Sequence, residues 1–251
     1  MNLEHLHRAF SRLGARVKFG RGGLDVLRDA GGEFFRLDLE QARGDGYDAL
    51  DVQPRRRHLV LVSRGAETVE RFLCGHDERH WFVAGVEHRG PATVEAALDA
   101  LQPGRIREAL RASGERHRRR HRRRTAAFVR QGEWFFIPRP DFVPPDDAVL
   151  RDEPLVRGRG KAHVAERLCR SGGETVYVSE LHPRGLTAEE RRDFEARQPH
   201  RRLNWRVMAR NAAAYVKGRV RHPDHATLVL DCWHEVALSD ELSSRNLAFL
   251  D

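Results

Sequence analysis

Between Leu110 and Phe128 the chain offers no large apolar side chain. A stretch so composed has nothing to bury, so it cannot run through a core, and the fold must be built from what flanks it. This divides the 251 residues into an N-terminal part, 1–112, a connector, 113–124, and a C-terminal part, 125–251. Each flank is the size of a small domain, since domains usually hold roughly 100–200 residues.

The same stretch holds the charge. Between Gly104 and Arg130 lie 11 Arg and two Glu, whereas the remaining residues carry 34 basic and 35 acidic side chains. The net charge of +8 therefore describes one segment and not the whole surface. Within it, His-Arg-Arg-Arg occurs twice, at 117–120 and 121–124. A helix would place Arg118 over Arg122, Arg119 over Arg123 and Arg120 over Arg124, each like-charge pair costing roughly 0.2–0.5 kcal/mol. The connector is therefore expected to be a helical or frayed basic segment that an anionic partner would order. Lysine occurs only at positions 18, 161 and 217. The planar guanidinium suits phosphate, although a GC-rich genome yields the same skew.

The flanks read as α+β with mostly antiparallel sheets. Leu3, Leu6, Phe10 and Leu13 share a helix face that Gly14 should end. Phe35–Leu39 alternates as a half-exposed strand, Gly44-Asp45-Gly46 marks a loop, and His58–Val62 reads as a buried strand behind Arg55-Arg56-Arg57. Thr68–Cys74 and Arg79–Val86 suggest a hairpin around Gly75–Glu78. Val94, Ala97, Leu98 and Leu101 have helical spacing, with Pro91 expected in the first turn. A further helix carries Ile106 and Leu110. Beyond the connector, Glu133–Pro138 is a buried strand. His163–Cys169 and Glu174–Val178 flank Ser171-Gly172-Gly173 as an expected hairpin. Thr187-Ala188-Glu189-Glu190 fits a capping box. Trp205–Met208, Ala213–Val220 and Thr227–Leu238 read as strands, the last two closing on a turn at Pro223.

Several residues invite chemistry. Of Trp134, Phe135 and Phe136, three aromatics in a row, most should pack in the core. The face bearing Phe135 is expected either to be exposed, where it could stack on bases, or to be covered by the other part of the chain. His222 and His225, then Cys232 and His234, are metal-ligand types, zinc being the ion considered. Along one strand the seven steps from His225 to Cys232 span about 23 Å. They cannot serve a single ion, so each pair would need partners from elsewhere, with His163 and His182 candidates by type. Cys74-Gly75-His76-Asp77-Glu78, with His80, gathers a thiol, imidazoles and carboxylates, though adjacent turn residues seldom converge on one reacting atom. In its α-β-β-β order the first half resembles a nuclease-like core, with Asp48 and Asp51 as candidate acids. Asp51-Val52-Gln53 departs from the Glu-x-Lys such a core needs.

Three separated cysteines (Cys74, Cys169, Cys232) without Cys-x-x-Cys suit a reducing compartment and read as buried small hydrophobes. No apolar run approaches the ~18–20 residues of a membrane span. The N-terminal residues lack the blocks of a secretory signal. A cytoplasmic protein without membrane contact is expected. The expected function is association with nucleic acid, RNA or single-stranded DNA, through Arg116, Arg118, Arg119, Arg120, Arg122, Arg123 and Arg124. Arg55–Arg57 and Arg201–Arg202 are candidate extensions. The alternatives are a hydrolytic enzyme, metal-assisted or not, using histidines of the C-terminal half, and an interaction module docking on an acidic protein.

Overall fold

The computed structural model describes residues 3–40, 46–65, 68–86, 90–116, 119–157 and 161–240. It is mixed α+β with mostly antiparallel sheets.

Helix α1 (Leu3–Arg12) buries Leu6, Ala9 and Phe10, and left-handed Gly14 (φ 76°) turns the chain out of it. Strands β1 (Val17–Gly20), β2 (Asp25–Asp29) and β3 (Gly32–Asp38) form a sheet of order β1-β3-β2, in which β1 runs parallel to β3. Strands β4 (Tyr47–Gln53), β5 (His58–Arg64), β6 (Val69–Asp77) and β7 (His80–Val86) follow as an antiparallel meander. The apolar run in β5 is continuous because both faces of this meander are covered. Leu59, Leu61, Phe72 and Cys74 meet α1 and β3, while Val60 and Leu73 meet α2 (Val94–Ala100).

Two expectations change here. Gly75 and His76 lie within β6, and the turn is tighter, with Asp77 opposite His80. A side chain on Gly75 would strike His58 and Phe82. Helix α2 starts at Thr93, whose hydroxyl accepts the Ala96 N–H (3.2 Å), so Pro91 precedes the first turn. The loop at Gly44–Asp45 falls outside the described residues.

Helix α3 (Gly104–Ala112) packs Ile106 against Phe128, Phe135 and Ile137. The last two lie on β9 (Trp134–Pro138), which with β8 (Val129–Gln131) forms one side of the large sheet. Its order is β10-β11-β14-β15-β9-β8, with β10 (Leu150–Leu155), β11 (His163–Ser171), β14 (Ala213–His222) and β15 (His225–Leu238). Three strand spacings separate β11 from β9, so a flat sheet would hold them about 14 Å apart. Yet the rings of Trp134 and His163 lie 5.6 Å apart. The sheet curls into a half-barrel around Phe136, Leu168, Val216 and Val220, bending at register shifts between β11 and β14 and between β14 and β15.

Between β11 and β14 the chain makes an excursion: β12 (Glu174–Val178), α4 (Ala188–Arg197) and β13 (Arg206–Arg210). The expected β11–β12 hairpin does not form. Gly172 and Gly173 are both left-handed, and Gly173 lies so close to the backbone of Arg210 and Ala212 that no side chain fits. They turn β12 away to pair with β13 as a separate ribbon. The capping box at Thr187 and Glu190 starts α4 through two reciprocal bonds of 3.2 and 2.8 Å.

Trp134, Phe135 and Phe136 are all buried, which removes them as stacking surfaces. The half-barrel interior takes Trp134 and Phe136, and α3 covers Phe135 on the opposite face. Sequence alternation indicated two faces and left two fates open for the one bearing Phe135, of which the covered one is found.

Candidate functional site

The arginine segment is a series of turns over its described residues, with Arg119 N–H bonded to Arg116 O and Arg122 N–H to Arg119 O. His117 and Arg118 lie outside the described residues. The side chains divide into two sets. Arg120 donates to Asp99 of α2 (2.5 Å), and His121 Nε2 lies 2.6 Å from the same carboxylate. Arg123 reaches Asp77 and, at 3.0 Å, Glu78, both on the β6–β7 turn. Gln102 fastens the segment by donating to Arg120 O (2.8 Å). In contrast Arg116, Arg119, Arg122 and Arg124 are exposed, and none pairs with a described carboxylate. Burial lowers the His121 pKa although Asp99 pulls it upward, so this ring stays neutral where a free histidine would begin to charge.

Of the candidate extensions, Arg56 faces Glu95 (3.8 Å) and Arg57 lies 4.5 Å over the Trp81 ring. Arg55, Arg201 and Arg202 are exposed.

The metal-type residues fall into two separate groups. His222 and His225 face each other across the β14–β15 turn. His163 joins them from β11, next to Val164, the register partner of Arg221. One nitrogen from each ring lies within 4.8 Å of the others. The rings of His163 and His222 are 4.2 Å apart and those of His222 and His225 4.7 Å. His163 is 4% exposed, and neither ring nitrogen has a hydrogen-bond partner among the described residues. Its burial, with His222 and His225 adding, pushes its pKa down to about 3. The second group, Asp231, Cys232 and His234, comes from one run of β15, and His234 Nδ1 lies 2.9 Å from Cys232 O. His182 is elsewhere, packed on Phe194 and Trp205 in the excursion.

The histidine cluster sits where both halves and the connector meet. Glu78 Oε2 is 3.3 Å from His225 Nδ1 and accepts the Ala226 N–H at 3.1 Å. Asp77 is pushed up by burial but more strongly down by Arg130 and Arg123, so it is held below the usual carboxylate range. Beside this joint lies a cavity of about 180 Å³ bordered by Asp77, His80, His121, Arg130, Asp224 and His225.

The thiol and nuclease-like readings do not assemble. Cys74 is enclosed, its thiol pushed up by burial, while His76 packs edge-on against Trp81. Asp51 accepts the Val94 N–H (2.8 Å) at the start of α2, and Asp48 faces His5 (3.7 Å), so each acid has a local partner.

One basic feature escaped the sequence reading. Arg151 on β10 stands opposite Arg167 on β11, which stands opposite Lys217 on β14, giving three cations in register on one sheet face. Two residues along, Tyr215 on the same face carries Phe142 stacked at 3.8 Å. The three lie far apart in sequence, so only strand register brings them together. No family model, characterised protein or solved structure matches this chain. Among the described residues no helix is long and apolar enough to cross a membrane.

Proposed function

We propose that this protein binds nucleic acid, RNA or single-stranded DNA, with the arginine connector as a strap between two α+β modules. The observation that carries this reading is the division of the tract. Arg120, His121 and Arg123 are spent on the protein's own carboxylates and hold the segment in place. Arg116, Arg119, Arg122 and Arg124 are left exposed beside these anchored positions. Pre-ordering lowers the entropy lost on binding. The row Arg151–Arg167–Lys217, beside the Phe142–Tyr215 stack, supplies a second surface of the kind single strands use, where cations track phosphates and rings receive bases. Such contacts position a strand without reading its sequence.

The test is binding to a random single-stranded oligonucleotide across a salt series. Four outward guanidiniums predict a log–log slope of roughly −3 on single strands. Replacing Arg116, Arg119, Arg122 and Arg124 together by Ser should flatten the slope and weaken binding with little change in melting temperature. Unchanged affinity in that variant would remove the proposal. Salt-labile capture of an acidic protein after nuclease treatment would favour the interaction-module reading.

A further inference from the structure

The histidine cluster asks for an occupant. Its three rings come from separate strand ends, the start of β11 and the two sides of the β14–β15 turn, brought together by the register of three neighbouring strands. Buried polar atoms in folded proteins are nearly always hydrogen-bonded, and an exception calls for a missing partner such as an ion. Both nitrogens of His163 are such exceptions. We infer that His163, His222 and His225 hold one divalent transition-metal ion of the zinc type, with Glu78 as the outer carboxylate that orients His225.

The geometry suits this ion. Imidazole nitrogens sit about 2.0–2.1 Å from zinc, so three tetrahedral ligands lie about 3.4 Å from one another. The nitrogens here already fall within 4.8 Å, which small ring movements close. Ligating histidines commonly donate their second ring N–H to a carboxylate, which fixes the tautomer. Glu78 Oε2 lies 3.3 Å from His225 Nδ1 but outside hydrogen-bond geometry, so a small ring rotation on loading would bring Nδ1–H onto the carboxylate and leave Nε2 for the ion. That edge faces Gly132, where a Cβ would come within 3.0 Å of Nε2. Glycine, held there at φ 58°, leaves the space. Asp77, Glu78 and Asp224 lie near the cluster with their charge matched by Arg123, Arg130 and Lys161, and His225 and Asp224 border the cavity, from which water could complete the coordination.

His222 is the ligand that must change. A neutral imidazole has one lone pair, and on His222 the Asp224 N–H takes it at Nδ1 (3.1 Å). Loading therefore detaches that amide from the ring, a single backbone hydrogen bond exchanged for a coordinate bond. The second group differs in kind: Asp231, Cys232 and His234 are near neighbours on one strand, so their proximity needs no ligand to explain it.

The experiment uses the full chain, stripped with chelator and titrated with zinc against a chromophoric competitor, then with cobalt for its visible spectrum. One ion per chain is expected, with a rise in melting temperature, a tetrahedral cobalt spectrum free of thiolate charge transfer, and faster exchange of the Asp224 amide. His163→Gln and His225→Gln should each abolish stoichiometric binding, Glu78→Gln should weaken it about 10-fold, and Cys232→Ser should leave it intact. No stoichiometric zinc, binding that survives His163→Gln, or a thiolate band in the cobalt spectrum would each overturn the site. If the histidine variants fail to fold, the wild-type cobalt spectrum decides: imidazole-only coordination upholds the assignment, and its absence refutes it.

Discussion

Glu78 Oε2 lies 3.3 Å from His225 Nδ1, and through this contact the β6–β7 turn of the N-terminal half grips the mouth of the half-barrel. The same carboxylate takes the Ala226 N–H and the Arg123 guanidinium, so one side chain ties together three parts of the chain. Glu78→Gln keeps an acceptor for Ala226 but removes the charge facing Arg123 and His225. A loss of about 1–3 kcal/mol is expected, as for other hydrogen bonds to charged groups. Urea unfolding measures it, and faster hydrogen exchange at Ala226 would locate the loosening at this joint.

Asp77 makes the joint sensitive to acid. Its folded pKa lies below the unfolded value of about 3.9, because Arg130 and Arg123 outweigh the effect of burial. The stabilisation is therefore fully present above about pH 4 and is lost as pH falls through the folded value. Urea midpoints of the wild-type protein should drop on acidification below about pH 4, and those of Asp77→Asn should drop less. Parallel curves would show that Asp77 is not the responsible group.

Arg167 stands between two other cations, Arg151 and Lys217. Like charges directly opposite on neighbouring strands are destabilising, and opposite charges contribute roughly 0.2–1 kcal/mol per pair. Arg167→Glu should therefore raise stability by roughly 0.5–1 kcal/mol at low salt, with the gain shrinking as salt increases. If this face binds oligonucleotide, the same substitution lowers affinity, so stability and binding should move in opposite directions. A stability unchanged at every salt concentration would mean the row carries no repulsion.

The thiols should differ sharply in reactivity. Cys74 and Cys169 are enclosed and burial pushes both thiols up, whereas Cys232 is half-buried with His234 Nδ1 3.8 Å from its sulfur. A thiol reagent should modify Cys232 first in the native protein, with Cys74 and Cys169 following only on unfolding. Mass spectrometry of the modified peptides checks the order.

Much of the architecture was legible because its signals are local. The face of Leu6 and Phe10, the alternation around Phe35 and the capping box at Thr187 each operate within a few residues. The pairing of His222 with His225 could also be read, since a short turn brings them opposite. What escaped depends on long-range register. Nothing near His163 shows that its strand runs beside β14, or that β9 and β11 meet across the curl. The pairing of Arg120 with Asp99 and of Arg123 with Asp77 was equally hidden, because composition counts charges without saying where they point. Gly172-Gly173 misled for a physical reason: two left-handed glycines can close a hairpin or redirect a chain, and the crowding at Arg210 and Ala212 selects the second.

Ser171 and Ala213 are register partners, so the chain leaves the half-barrel and returns to it at adjacent positions. Residues 172–212 are thus a graft on an otherwise ordinary hairpin, with a ribbon, a helix and an aromatic knot of His182, Phe194 and Trp205 of their own. Excising them and joining β11 to β14 through a two-residue Asn-Gly turn should leave the half-barrel able to fold alone. Whatever the graft contributes could then be added or withdrawn without disturbing the strand ends that bear the histidines.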